Sequence, residues 1–262
     1  MKKIYTIRDI TQQQAHMWNV RQIEDEVMAC EERGIKHYFS RYLPKDKAIL
    51  EAGCGLGAWV IFLSEKGYHI AGIDHDRQVI ERLKRWKPAL NVEHGDIGNL
   101  RDNDNSLGAY ISLGVVEHFE EGPDRPLQEA YRVLEPGGTL ILTVPYNNIF
   151  RKCIAHPLRS IYLLFHRIRK GKISFAEYRY SVTEVKEMVE KEGFQAMEMG
   201  LDDFIDKSRS LTIWSEFPFL QSRKYSYTLN TTGKILASIM NFISRRIAAS
   251  GICIIARKPL TV

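Results

Sequence analysis

The stretch ILEAGCGLGAWV, residues 49–60, constrains the fold more than any other part of the chain. A strand-like run from Ile49 to Ala52 leads straight into glycines at 53, 55 and 57, and then into the apolar AWVIFL. Glycine in a strand-to-helix turn supplies positive φ or lets another group come close to the backbone. After the first strand of a doubly wound sheet, such a turn marks a place for a nucleotide-sized ligand at the switch point. The dinucleotide fingerprint G-x-G-x-x-G is not met, because Gly57 comes one position too soon and residue 58 is alanine. Glu51 stands directly before the loop. A carboxylate there repels a pyrophosphate and suits a cation.

The segments downstream alternate between strand-like and helical patterns. KAILEA is followed by AWVIFLSEKG, a helix closed at Gly67; YHIAGID by the helical DRQVIERLKRW; and ALNVEHGD gives a third strand. GAYISLG, the helix DRPLQEAYRVLEPGG with its Gly-Gly stop, and the strand TLILTVP complete the first half. The pattern breaks after Pro145, resumes with SVTEVKEMVEKEGFQAMEM, breaks again over about 200–250, and closes with GICIIARK. This predicts an α/β fold: a doubly wound, mostly parallel seven-stranded sheet covered by helices on both faces. One domain over 1–262 is expected. It would have an N-terminal helical cap (1–46), a core (47–145), and insertions at 146–181 and 200–250 forming a lid. Within the cap, residues 20–43 read as one helix with Ile23, Val27, Cys30 and Ile35 on one face, ended by Pro44.

Composition narrows the classes. Net charge is +5, from 37 basic and 32 acidic residues, too little to argue for nucleic acid. Cys30, Cys54, Cys153 and Cys253 lie far apart with no C-x-x-C pair, which argues against a disulfide framework or zinc site and fits a reducing compartment. MKKIYTIRDITQQQ has no apolar core behind its lysines, and no apolar run reaches the ~18 residues of a membrane span. The location expected on these grounds is the cytoplasm.

EAGCGLG resembles the E/DxGxGxG motif of the class I S-adenosylmethionine-dependent methyltransferases. Four further matches follow in order: Asp74 at the end of the second strand, GDIGNL, SLGVVEHF, and EAYRVLEPGGTLILTVP, which is similar to the type 11-like, small-molecule branch. The resemblance covers about 45–145, and 180–257 more loosely. It implies S-adenosyl-L-methionine as cofactor, held by Glu51, Gly53, Cys54, Gly55 and Gly57. Asp74 and His75 would lie at the ribose, Asp96 and Ile97 at the adenine, and the Leu113 carbonyl at the amino group. The competing readings are plain: Asp74 as a helix cap, Asp96 as a turn residue, Cys54 and Trp59 as packing.

A methyltransferase of this kind positions its acceptor and excludes water, and needs a base only where the acceptor must lose a proton. VVEHFEEG offers Glu117, His118 and Glu121, and His118 is the candidate base. Some similar quinone-pathway O-methyltransferases use an acid-and-histidine cluster here around a divalent metal; no metal is assigned to this chain. Residues 151–172 carry seven Lys/Arg, two His and no Asp or Glu, with Ile154, Leu158, Ile161, Phe165 and Ile168 at helical spacing. A second stripe runs through Leu236, Met240, Ile243 and Ile247. The first stretch reads as a lid packed apolar side down on the sheet, a clamp for an anionic substrate, or a peripheral contact with an anionic membrane. Phe175, Tyr178 and Tyr180 read as an aromatic wall for the acceptor. The leading function is methyl transfer to a small-molecule acceptor, anionic or lipid-like. The alternatives are an RNA methyltransferase, for which no added RNA-binding module is visible, and a cofactor-binding protein without transfer activity.

Overall fold

The computed structural model describes residues 1–7, 18, 20–169, 171–224 and 227–260. In chain order the elements are β1 (Lys2–Thr6), α1 (Ile23–Glu32), α2 (Lys36–Tyr42), β2 (Ile49–Ala52), α3 (Ala58–Ser64), β3 (Ile70–Asp74), α4 (Arg77–Trp86), β4 (Val92–His94) and β5 (Leu107–Leu113). There follow α5 (Asp124–Val133), β6 (Leu134–Pro145), α6 (His156–Ile168), β7 (Ser174–Arg179), α7 (Val182–Lys191), β8 (Gln195–Asp202), α8 (Leu211–Glu216), α9 (Thr231–Ile243), α10 (Arg245–Ala248) and β9 (Gly251–Arg257).

Seven strands form one sheet in the order β4-β3-β2-β5-β6-β9-β8. All pairs from β4 to β6 are parallel, and β9 runs antiparallel between β6 and β8. The expected mostly parallel, doubly wound sheet is what the chain forms. Strands β5 and β9 are apolar and almost wholly buried, as strands covered on both faces must be. One core holds residues of α1 to α4, among them Phe39, Ile61 and Leu83. The other packs Leu127 and Val133 of α5 and Val185 and Val189 of α7 on the opposite face. Chain direction across the sheet reverses between β2 and β5, so the crevice beyond their carboxyl ends is the switch point.

Several local expectations are corrected. The single helix over 20–43 is broken: Gly34 N–H donates to the Asp203 carbonyl at 2.8 Å, and Arg33 pairs with Asp202, which pulls 33–35 out of helical register. The helix expected to run to the Gly-Gly stop ends at Val133, with Leu134 already extended. Pro136 explains this, since proline disfavours a helical residue before it and gives no N–H. The insertion before β9 begins at 203, because β8 continues to Asp202.

The N-terminal segment contributes a strand that the sequence reading did not foresee. β1 pairs antiparallel with β7 in a separate two-stranded ribbon. Residues 8–17 and 19 of the expected cap lie outside the described residues.

The apolar-side-down reading of 151–172 fails. No residue of α6 is buried, and Leu158, Ile161, Phe165 and Ile168 all face solvent. Lys170 lies outside the described residues. The second stripe holds at three of its four positions: Met240 is buried and Leu236 and Ile247 pack against the same small core, but Ile243 is exposed.

Candidate active site

A cavity of about 850 Å³ opens at the switch point. Its first end is built by the glycine loop. Gly53, Gly55 and Gly57 all take positive φ (81°, 50° and 64°), and Gly57 is the residue from which α3 starts. A Cβ on Gly53 would lie 2.4 Å from Val115 Cγ2, so no side chain fits there. On Gly55 it would meet the Trp18 ring at 3.0 Å.

Asp74, at the end of β3, is buried and ties the loop down. Its Oδ2 accepts from Gly55 N–H at 2.8 Å and its Oδ1 from Asp76 N–H at 2.9 Å. The capping alternative is disposed of by its neighbour: Asp76, not Asp74, caps α4 by accepting from Gln78 and Val79 N–H. His75 is exposed beside it, its Nδ1 at 3.4 Å from Asp74 Oδ1. Asp96 is exposed, accepts from Gly98 N–H at 2.8 Å and pairs with Arg125 at 3.4 Å, while Ile97 is buried. The turn reading of Asp96 and a cavity position therefore hold together. Glu51, Gly53, Cys54, Gly55, Asp74, His75, Asp96, Ile97 and Leu113 all line the cavity; Gly57 does not, its hypothetical Cβ facing Leu83 of α4. Cys54 and Trp59 line it too, and Trp59 also packs edge-on against Phe39 and Phe62.

Glu51 is the strongly perturbed carboxyl at this end. Burial pushes its pKa up to about 8, Asp74 adds to the rise, and a hydrogen bond from the Val60 backbone opposes it. Its Oε2 is buried without a hydrogen-bond partner. A buried acid with an open oxygen is a receptor for a positive charge.

The second end is lined by His118, Glu117, Glu177, Arg179, Arg151, Arg159, Trp214 and Tyr227. His118 Nδ1 lies 2.7 Å from the Ala176 carbonyl. A carbonyl only accepts, so the proton sits on Nδ1 and Nε2 is left as the ring's acceptor. Glu117 is buried with Oε2 unpartnered, and burial holds its pKa well above the usual carboxylate range. Behind the wall, Glu216 gathers Arg151 and Arg159 at 3.0 Å each and Arg179 at 2.7 Å. Burial opposes its ionisation, but the three guanidinium groups win and hold its pKa down to about 2. Arg179 Nε also donates to Glu177 at 2.7 Å.

The aromatic wall is corrected. Phe175, Tyr178 and Tyr180 are packed in the core, and the residues of this stretch that reach the cavity are Ala176, Glu177 and Arg179. Strict alternation would set Phe175 on the face of Glu177 and Arg179, but the register against β1 shifts between Phe175 and Glu177. This bulge at Ala176 puts Phe175 with Tyr178 in the core and the charged pair on the other face. Sequence reading missed Arg33, Arg151, Glu177, Arg179 and Glu216. One signal was there: Glu216 is the sole acidic residue after Asp206. Among the described residues, no group of three or more His, Cys, Asp or Glu is arranged to hold a metal ion.

Residues 50–142 match the family model described as a methyltransferase domain. Over this stretch, about a third of the chain, the protein is similar to a methyltransferase domain. A probable S-adenosylmethionine-dependent methyltransferase of Mycolicibacterium smegmatis is 24% identical over 147 residues, 56% of this chain and 51% of the relative. The chain thus spans about half the length of that relative. A ubiquinone biosynthesis O-methyltransferase of Coxiella burnetii is 21% identical, over 63% of this chain and 70% of the relative. A solved complex of the Haloferax volcanii Trm112 methyltransferase activator with a methyltransferase superposes with a TM-score of 0.61. It shares 17% identity and covers 98% of this chain and 99% of that one. The matched residues run from β2 to β6, the strands that carry the glycine loop, Asp74 and Leu113.

Proposed function

We propose that the chain is a single-domain enzyme that transfers a methyl group from S-adenosyl-L-methionine to a small-molecule acceptor, anionic or lipid-like. The observation that carries this reading is one continuous cavity. It runs from the glycine loop, Glu51 and Asp74 to a chamber holding His118 and the arginines. The residues at the first end fit the cofactor: the loop's three glycines take positive φ, Gly53 leaves no room for a Cβ, and Glu51 offers an open buried oxygen to a cation. Glu51, Gly53, Cys54, Gly55, Gly57, Asp74, His75, Asp96, Ile97 and Leu113 are its proposed binding set, Gly57 by setting the loop rather than by contact.

When bound, S-adenosylmethionine supplies the methyl group and the thioether that leaves. The chain's own residues do the rest. Glu51 favours the cationic ligand and Asp74 rigidifies the loop through Gly55 N–H. His118, with Nδ1–H held by the Ala176 carbonyl, can take an acceptor proton at Nε2. Arg179 Nη1, close to Glu216 but without hydrogen-bond alignment, is a buried donor able to meet an anionic group of the acceptor. Trp214, Tyr227 and Phe204 give that chamber an apolar side suited to a hydrophobic body.

Calorimetry tests the cofactor: S-adenosylmethionine and S-adenosylhomocysteine should bind and NAD should not. Incubation with a metabolite extract and labelled S-adenosylmethionine, read by mass spectrometry, identifies the acceptor. Binding of NAD alone would overturn the assignment.

A further inference from the structure

We propose that α6 and the outer face of α9 form a docking surface for an anionic lipid bilayer. The first observation is apolar exposure. On α6, Leu158, Ile161, Tyr162, Leu164, Phe165 and Ile168 are each more than half exposed, with Phe165 at 62% and Ile168 at 68%. α9 buries Gly233, Ala237 and Met240 on its inner side and turns Ile235, Ile239, Phe242 and Ile243 outward, Phe242 at 91%. Ten large apolar side chains on two helices are far beyond the scattered exposure of an ordinary surface.

The two helices belong to one body. Phe150, just before α6, shares a small core with Ala237 and Met240 of α9, and Arg159 of α6 pairs with Glu216 at the end of α8. The exposed residues of α9 recur at i, i+4, i+7 and i+8, which is one helical face.

Charge selects the occupant. Residues 151–176 contain seven Lys/Arg and residues 217–262 another seven, and neither segment has an Asp or Glu. Fourteen of the 37 basic residues and none of the 32 acidic ones fall there, so the rest of the chain is net acidic. Apolar side chains interleaved with Lys and Arg, on helices with no acidic residue, are the chemistry of the headgroup region of an anionic membrane. A second copy of this chain is disfavoured, because a two-fold contact would set the same basic segments against each other. α6, with 13 residues, is too short to cross a bilayer, and no helix among the described residues is long and apolar enough to do so. The surface therefore lies in the interface plane. This proposal stands on the lid alone and does not need the cofactor reading.

Flotation of the full chain with vesicles of phosphatidylcholine alone, and of phosphatidylcholine with phosphatidylglycerol, tests it. The wild type should float with the anionic vesicles, not with the neutral ones, and raised salt should release it. Phe165→Glu with Ile168→Glu, Phe242→Glu, and Arg167→Glu with Arg169→Glu should each weaken vesicle partitioning by roughly tenfold or more. S-adenosylhomocysteine affinity and melting temperature should stay as in the wild type, since these side chains touch neither the cavity nor a core. Equal flotation of wild type and all three variants would overturn the proposal. So would no flotation of the wild type, or a lipid-free dimer or hetero-complex dissolved by the apolar variants.

Discussion

Replacing Glu51 by Gln isolates the one buried acid at the cofactor end. In the folded chain its pKa is pushed up to about 8 from 4.5, so at pH 7 it is about nine-tenths protonated, whereas the unfolded chain has it ionised. A raised carboxylate contributes most stability below pH 4.5 and loses it as pH climbs toward 8. By pH 7 the loss spans two and a half pH units at 1.36 kcal/mol each, about 3 kcal/mol as an upper figure. Gln keeps the shape and the acceptor for the Val60 N–H but has no proton to gain or lose. The apo-protein Glu51→Gln should therefore be more stable at pH 7, by up to about 3 kcal/mol or roughly 5–10 °C in melting temperature. That gain should vanish near pH 4.5. Glu117 titrates with the same sign, so the difference between variant and wild type, not either profile alone, is the measurement. Binding of the cationic cofactor should release close to one proton in the wild type at pH 7, read by calorimetry in buffers of different ionisation heat. S-adenosylhomocysteine, without the sulfonium, should release less. A variant no more stable than wild type at pH 7, with unaltered proton release, would refute the reasoning.

Other outcomes follow from the same geometry. Gly55→Arg should abolish S-adenosylhomocysteine binding by calorimetry, because φ is +50° and the Trp18 ring already stands 3.0 Å from a Cβ there, while circular dichroism keeps the sheet signature. Asp74→Ala should weaken cofactor binding by more than twofold, and more than Asp74→Asn does, since it also frees Gly55 N–H; such charge-assisted bonds contribute about 1.5–3 kcal/mol each. His118→Gln should lower kcat on a proton-losing acceptor by about 10²–10⁴ with cofactor affinity unchanged; an unaltered kcat would exclude His118 as the base.

The sequence reading was sound where local pattern and burial agree. Strands buried on both faces read as apolar runs, and the glycine spacing declared a loop that must take positive φ, so β2, β3, β5, β6 and β9 were legible. It failed where distant segments decide. Nothing local at 33–35 announces that Asp202 and Asp203 will break the helix. The rings of Phe175, Tyr178 and Tyr180 drew attention to the right strand and the wrong face, because register depends on β1, about 170 residues away. The amphipathic stripe of α6 was visible, but whether it packs or stays bare depends on the rest of the lid. The Arg151–Glu216–Arg179 cluster brings together residues from three segments, and only the isolation of Glu216 in an acid-free stretch hinted at it.

If the chamber lined by Glu177 and Arg179 receives the acceptor as proposed, the β1–β7 ribbon gives residues 2–6 a share in substrate selection. Residues Lys2–Thr6 hold the strand whose Glu177 and Arg179 line the second end of the cavity, with Lys2 opposite Arg179 and Ile4 opposite Glu177. A tag fused at Met1, or a truncation past Thr6, should thus disturb the choice of acceptor while the cofactor end, anchored on β2 and β3, keeps its affinity. Screening for the acceptor with an N-terminally altered chain would interrogate a pocket missing one of its struts, and a negative result from it would carry little weight.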